Sequence, residues 1–186
     1  NTNDVKLALE GGTINGTLKI DSSIENSTAA TTVTKSEAVN LDAPTGYKWV
    51  SGKLMSAYVA EVNGTKYESL AEAIEAAGRN ATVTLLADTK ENVTISTPYV
   101  TLDLKGHTLN GSTGERKPAL TITARVTVKD SSEAQTGTIM REDTAGNSGV
   151  SSHYVIDVQG AGWLTFESGT VKNGSGAGGT KGASLV

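Results

Sequence analysis

The sequence contains no cysteine, few aromatic residues and no long apolar run. Without cysteine there is neither a disulfide nor a thiolate metal site. No apolar stretch reaches the roughly 20 residues that a transmembrane helix needs. The net charge of −4 and the lack of a Lys/Arg cluster argue against a nucleic-acid partner. A chain of 186 residues suits one domain, or slightly more than one.

The residues that are abundant favour short strands. Thr, Val, Gly, Ser and Asn dominate, while aromatic residues make up 4% of the chain. Beta-branched residues and glycine are typical of many short strands joined by tight turns. In residues 82–109, Val, Ile and Leu alternate with polar residues in three short runs, which indicates strands with one buried face. No Asn-Gly hairpin signal separates these runs, so a simple antiparallel meander is not favoured.

One phrase recurs along the chain and predicts a solenoid. Residues 7–14 (LALEGGTI) align with residues 164–171 (LTFESGTV), and a weaker copy lies at residues 126–139. Such repeats are typical of stacked coils. We assign the strands to three coils: 100–104, 107–109 and 120–123; then 126–130, 137–140 and 154–158; then 163–167 and 169–172. The polar segments 111–118 and 141–152 become loops on one face, either as a binding surface or as tolerated surface loops.

A different pattern precedes the repeat. Asn63-Gly64 lies between two short strand-like runs and predicts a hairpin. Residues 69–77 then predict a short helix, with Ser69 and Glu72 as a capping box and Gly78 as a left-handed stop. The first coil of a solenoid exposes an apolar end, which is normally covered. We therefore expect this helix to cap the N-terminal end of the coil that begins at Thr82.

Four segments together resemble a known family: AEVNGTKYESLAEAIEAA (60–77), TVTLLADTKENVTI (82–95), VTLDLKGHTLNG (100–111) and VTVKDSS (126–132). They are similar to the module repeated in large surface proteins of gut Gram-positive bacteria. The resemblance covers roughly residues 58–175. It implies an all-β, right-handed single-stranded parallel β-helix of the pectate-lyase-like type. It also implies an adhesin-like protein whose partners are host glycans such as mucins, or host proteins such as immunoglobulins.

The resemblance sets the expected domain organisation. Residues 58–186 form a β-helix module that is expected to be cut short at its C-terminus. Residues 1–57 form the tail of a preceding module, since their end, GYKWV, resembles the usual close of such a module. The expected partners include neighbouring modules of the same chain. An exposed coil end also allows head-to-tail or swapped self-association.

Catalysis is the main alternative, because polysaccharide lyases and glycosidases share this architecture. Strand alternation predicts Asp103, Asp157 and Glu167 on outer faces, where oxygen ligands could hold an ion. The coil assignment puts Asp157 on a different face from the other two. Arginines are expected in turns and insertions, and His107 in a structural corner. We therefore predict no catalytic residues, no metal site and no cofactor.

The predicted contact surface follows from the long insertion and the nearby aromatic residues. Alternation directs Leu164 and Phe166 inward and leaves Trp163 outward, where it can stack on a sugar ring or anchor a protein. The predicted binding residues are Arg141, Glu142, Asp143, His153, Tyr154 and Trp163. We accordingly expect a non-catalytic, extracellular module of a bacterial cell surface that presents loops to a host ligand. A carbohydrate-active enzyme and a pure structural spacer remain alternatives.

Overall fold

The computed structural model describes residues 5–11, 18, 31–115, 117–142 and 154–174. The chain divides into two compact units, Asn1–Ala57 and Tyr58–Val186. The described residues are mostly β-strands, arranged in several sheets, with one short α-helix. The all-β class predicted from the composition is therefore confirmed. None of the helical segments in the described part of the chain has the length and apolarity that crossing a bilayer requires.

The first unit contains a four-stranded sheet. Its strands are β1 (Val5–Leu9), β2 (Thr31–Lys35), β3 (Tyr47–Val50) and β4 (Lys53–Ser56), in the order β1-β2-β4-β3. Strands β1 and β2 pair in parallel, with Leu7 opposite Val33. Strands β3 and β4 form an antiparallel hairpin. Both residues of its turn, Ser51 and Gly52, have positive φ angles, as a two-residue hairpin of this type requires.

The second unit opens with the predicted hairpin. Strands β5 (Ala60–Val62) and β6 (Thr65–Tyr67) pair antiparallel. Asn63 and Gly64 between them have φ angles of 51° and 77°. Two consecutive left-handed residues define the turn that Asn-Gly favours, so this prediction is confirmed.

Helix α1 (Leu70–Ala76) follows the hairpin. The hydroxyl of Ser69 accepts a hydrogen bond from the Glu72 N–H at 3.1 Å, which confirms Ser69 as the N-cap. The expected left-handed stop at Gly78 is wrong. The helix ends at Ala76, the N–H of the C-cap residue Ala77 bonds to the Ile74 carbonyl, and Gly78 does not have a positive φ. The helix buries its apolar face in the core of this unit.

The remaining strands form three sheets. They are β7 (Thr82–Leu85), β8 (Val93–Ile95), β9 (Val100–Asp103), β10 (Thr108–Asn110), β11 (Leu120–Ile122), β12 (Arg125–Lys129), β13 (Thr138–Glu142), β14 (Ile156–Val158), β15 (Trp163–Phe166) and β16 (Thr170–Gly174). The sheet orders are β15-β12-β9-β7-β5-β6, β10-β13-β16 and β14-β11-β8. The hairpin β5–β6 pairs antiparallel with β7 and covers that edge of the largest sheet.

Successive strands from β9 to β16 belong to these three sheets in a repeating order. Strands β9, β10 and β11 enter the first, second and third sheet, β12, β13 and β14 repeat the sequence, and β15 and β16 begin it again. Every pairing among them is parallel and in register, for example Val100 with Val126 and Val126 with Leu164. The predicted equivalence of strands in successive repeats is therefore confirmed strand by strand.

The interior is filled by aliphatic side chains of all three sheets. Strand alternation buries Leu102, Val128 and Ile139 completely. Leu164 and Phe166 hold the equivalent register on β15, opposite Val126 and Val128. Leu164 is half-buried but Phe166 is 36% exposed, which corrects the expectation that both are inside. The reason is position: β15 is the last strand of its sheet, and no described strand packs over it.

The repeated glycine of the sequence phrase has a packing role. Gly137 precedes β13, and Gly169 holds the same place before β16. A Cβ on Gly137 would lie 2.7 Å from the Asp130 carboxyl carbon and 2.7 Å from the Leu104 Cβ. Real Cβ contacts are not this short, so only glycine fits here.

Candidate binding surface

The structure places the six predicted contact residues in different environments. Asp143 and His153 lie outside the described residues, and Glu142 is the last residue of β13. Tyr154 is half-buried. Trp163, the first residue of β15, is 61% exposed, which confirms the outward orientation predicted for it.

Arg141 does not lie in a surface loop as the sequence suggested. Strand β13 continues through Arg141 and Glu142, and the Arg141 side chain is only 5% exposed. Its Nη2 donates a hydrogen bond of 2.8 Å to the Glu115 carbonyl. This side chain therefore fastens the segment after β10 to β13, and it does not offer its charge to a ligand at the surface.

Trp163 has a cationic neighbour on the adjacent strand. Arg125, the first residue of β12, is opposite Trp163 in the parallel register, and its Cζ atom lies 5.5 Å from the centre of the indole ring. This distance is within the range of a cation–π contact. The sequence pattern predicts that Arg125 lies in a turn or an insertion, and this prediction is wrong.

A second pair of the same kind continues this arrangement. Tyr99 precedes β9, and its N–H bonds to the Arg125 carbonyl at 2.6 Å, so the two residues are neighbours across the sheet. The Arg79 Cζ atom lies 4.2 Å from the centre of the Tyr99 ring. Cation and aromatic thus alternate along one side of the second unit, in the order Arg79, Tyr99, Arg125 and Trp163. We call these four residues the cation–aromatic row.

The row is exposed, and its positive charges have no ion-pair partner among the described residues. Tyr99 is 43% exposed, and both arginines are exposed. Neither guanidinium has an ion pair or a hydrogen bond to any of the described residues. The four segments that carry the row, residues 77–81, 96–99, 123–125 and 159–163, contain no Asp or Glu. In a chain with a net charge of −4, this is a local concentration of cations.

The opposite ends of the same strands carry carboxylates that hold the fold together. Asp103 was expected on the outer face of β9, but it is only 5% exposed. Its Oδ1 atom accepts hydrogen bonds from the N–H groups of Lys105 at 3.1 Å and Ser131 at 3.0 Å. Its other oxygen lies 3.6 Å from the Lys129 ammonium. The strand ends at Asp103, so the side chain folds into the corner that the chain turns there.

Asp130 occupies the next corner and is also buried. Its Oδ1 accepts from the N–H groups of Gly106 at 2.8 Å and Ser132 at 3.0 Å, and its Oδ2 accepts from Gly137 at 2.5 Å. Burial acts to raise the pKa of this carboxyl, but the hydrogen bonds outweigh it. The pKa of the Asp130 carboxyl is therefore below its ordinary value. An ionised group fixed by backbone amides is suited to structure and unsuited to proton donation.

His107 lies in a corner, as expected. Its Nδ1 atom is 3.6 Å from the Asp88 carboxylate, and the ring is half-buried. Within the described residues no group of three or more His, Asp and Glu side chains is arranged to hold a metal ion. We therefore interpret His107 and Asp88 as a surface contact that joins two turns of the chain.

Comparison with known proteins does not indicate a function, so the function is inferred from the chemistry of these residues. No protein-family model, no curated protein and no solved structure matches this chain. Sequence reasoning identified Trp163 but missed the other three members of the row. A signal was present, because Tyr99, Arg125 and Trp163 each stand directly before an aligned strand phrase: VTLD, VTVK and LTFE.

Proposed function

We propose that residues 58–174 wind as a right-handed single-stranded parallel β-helix, capped at its start by helix α1 and the β5–β6 hairpin. Strands β9 to β16 belong in turn to the first, second and third sheet and pair in parallel, which supports this arrangement. Parallel crossovers are overwhelmingly right-handed, which favours that hand for the coil. The apolar helix face lies in the same core as the strands, as a cap requires.

Residues 1–57 are proposed to be the closing part of a similar module. The parallel pair β1–β2 joins Leu7 to Val33, the same 26-residue separation that joins Val100 to Val126. The phrase at residues 7–14 also matches that at residues 164–171. Neighbouring modules of one chain, or a second copy of it, are then natural partners for a coil end such as β15, over which no described strand packs.

We infer that the protein is a non-catalytic, adhesin-like module of a bacterial cell surface that presents residues to a host ligand. The observation that carries this inference is the in-register stack of parallel strands, which fixes exposed side chains at regular spacings on a rigid support. Asp103 and Asp130 support a role without catalysis, because backbone amides and Lys129 already engage their oxygens. The host ligand is proposed to be a protein such as immunoglobulin, or a mucin-type glycan.

A combined binding and turnover screen tests this function. The folded chain is applied to immobilised host glycans and serum proteins, and in parallel incubated with soluble polysaccharides while new reducing ends and unsaturated products are measured. We expect saturable binding without product. A Leu102→Asp variant, which places a charge at a fully buried position of β9, provides the unfolded control. Enzymatic release of products, or no binding to any probe, would contradict the proposal.

A further inference from the structure

We propose that the cation–aromatic row is a binding site for oligosaccharides that carry carboxylate groups. This inference rests on the proposed function and adds to it the location of the site and the class of ligand. It depends on four features of the row: guanidinium groups in cation–π contact with aromatic rings, the exposure of those rings, a strained tyrosine and the spacing between strands.

The guanidinium groups of Arg79 and Arg125 are arranged to bind an anion. Each lies over an aromatic ring, at 4.2 Å and 5.5 Å respectively. A guanidinium that contacts a ring keeps its five N–H donors in its own plane, and these form a fork that matches both oxygens of a carboxylate. The described residues supply no partner for these donors. Contact with a ring also restricts the long side chain, so less rotamer freedom is lost when a ligand binds.

The aromatic members are placed for contact with a ligand. Trp163 and Tyr99 are 61% and 43% exposed, so the folded core does not account for either ring. Tyr99 also has a φ of 65°, in the left-handed region that bulky side chains rarely adopt. A backbone in this region costs about 1–2 kcal/mol unless the residue is glycine. The core does not require a strained and exposed tyrosine here, and its flat ring beside the Arg79 cation provides a platform for a sugar ring.

The surroundings favour a saccharide over an acidic peptide. Peptides commonly bind by adding a strand to a free sheet edge or by filling an apolar groove. At the row, the N–H groups of Tyr99 and Trp163 are already bonded to the carbonyls of Arg125 and Ala124. The flanking residues, such as Thr97 and Thr123, are small and polar. The row therefore presents the faces of aromatic rings and the N–H donors of arginine side chains to a ligand, and these backbone N–H groups are not free to pair with an added strand.

Strand spacing sets the size of the ligand. Tyr99 and Trp163 flank Arg125 on successive strands, and adjacent strands lie about 4.8 Å apart. The backbones that carry the two rings are therefore separated by roughly 10 Å, with Arg125 between them. A single sugar cannot cover both rings. A chain of at least two rings with a carboxylate near their junction can do so.

The test measures binding of a hexamer of galacturonic acid and of its methyl ester to the folded chain. The two probes share their rings and differ in charge. We expect the acid to bind and the ester to bind at least about tenfold more weakly, a difference of about 1.4 kcal/mol. Raising the salt concentration from about 50 mM to about 300 mM is expected to weaken binding of the acid, because exposed charges are screened.

Variants locate the site. Arg125→Ala and Trp163→Ala are each expected to weaken acid binding by roughly tenfold. Arg125→Lys keeps the charge but loses the planar fork, so an intermediate loss is expected. Lys66→Ala is the matched control, since Lys66 is an exposed cation 6.0 Å from the Tyr58 ring and outside the row. All these side chains are exposed, so thermal unfolding should be unchanged and loss of fold can be excluded as the cause.

The outcomes separate the two proposals. Acid binding that survives Arg125→Ala and Trp163→Ala would overturn the row as the site and leave the proposed function standing. Equal binding of acid and ester would overturn the requirement for carboxylate. Binding of a sulfated hexasaccharide or a hexaglutamate peptide in place of the uronate would assign the row to another ligand and overturn this inference. Binding of a host protein or neutral glycan alone would do the same, and failure to bind any probe would overturn both proposals.

Discussion

Replacing Asp130 with asparagine tests whether a buried carboxylate holds the corner between β12 and β13. In the native protein one oxygen accepts two backbone N–H groups, from Gly106 and Ser132, and the other accepts one, from Gly137. An asparagine amide has one oxygen and one nitrogen. Its best orientation keeps the two bonds at Oδ1 and turns an N–H₂ group toward the Gly137 N–H. A donor then faces a donor inside the protein.

The magnitude follows from the bonds that change. Hydrogen bonds to charged groups contribute about 1.5–3 kcal/mol each, and a buried donor without an acceptor costs about 1–3 kcal/mol. Asp130→Asn loses one charged bond, leaves the Gly137 donor without an acceptor and weakens the other two bonds. We expect a loss of about 3 kcal/mol in the free energy of unfolding. Asp130→Ala removes all three acceptor contacts and should cost more, about 3–5 kcal/mol.

Urea denaturation measures this loss. Trp49 lies in the first unit and Trp163 in the second, so a Trp49→Phe background makes fluorescence report the second unit. With a slope of about 1–3 kcal/mol per molar urea, a loss of about 3 kcal/mol lowers the midpoint by about 1–3 M. Glu133→Gln is the matched control, because Glu133 is an exposed carboxylate close in sequence to the same corner. Equal midpoints for Asp130→Asn and Glu133→Gln would refute the assigned role.

The pH dependence provides an independent check with a defined sign. The pKa of Asp130 is lowered in the folded protein, while an unfolded aspartate titrates near about 3.9. Its stabilisation is therefore complete above about pH 4 and is lost as the pH falls through the folded pKa. The stability difference between the native chain and Asp130→Asn should shrink as the solution is acidified. A difference that grows on acidification would contradict the lowered pKa.

Two further changes test packing and capping in the second unit. Gly137→Ala should lower the free energy of unfolding by about 1–3 kcal/mol through overpacking, because the added Cβ would lie 2.7 Å from the Leu104 Cβ. Gly78→Ala is the control. No atom lies within 4 Å of its added Cβ, so it should be neutral in the same urea assay. Glu91→Ala should lower the free energy of unfolding by about 1 kcal/mol and speed amide hydrogen exchange at the first two helix residues. The Glu91 carboxylate accepts hydrogen bonds from the N–H groups of these two residues at 2.9 and 3.0 Å. Glu75→Ala, on the exposed helix surface, is the control and should leave that exchange unchanged.

Local pattern was enough to predict which strands are equivalent. The phrases beginning at Val100, Val126 and Leu164 alternate apolar and polar residues with period two, and each ends where the chain turns. Because one slip in register would move every apolar side chain to the wrong face, this pattern fixes the register once parallel strands stack. Asn63-Gly64 was equally informative, since its preferred turn depends only on two backbone angles.

Strand ends were harder to predict, because alternation stops where the chain bends. Asp103 continues the pattern as an outward residue, yet it is buried and accepts two backbone N–H groups of the corner. The sequence predicts that Gly78 stops the helix by a positive φ, but the helix ends at Ala76 and Ala77 is its C-cap. Glu91 caps the same helix from a loop 20 residues away, a contact that no local motif encodes.

The cation–aromatic row was missed because it is a relation between strands. Arg125 and Trp163 are 38 residues apart in sequence and face each other only through the parallel register. Considered alone, an arginine before a strand is an ordinary turn residue, and an exposed tryptophan has many explanations. Their significance emerges when the three strand starts are aligned, because each then carries an exposed side chain in a cation–π contact.

The two ends of the strands in the largest sheet have opposite chemical character. At their C-terminal ends, Asp103, Asp130 and Ser168 are bonded to backbone groups of the corners. At their N-terminal ends, Arg125 and Trp163 have exposed side chains. The corners hold the register, and the register sets the spacing of the row. Changes in the row should therefore alter binding without altering stability, whereas changes at Asp130 should weaken the fold first and disturb binding only as a consequence.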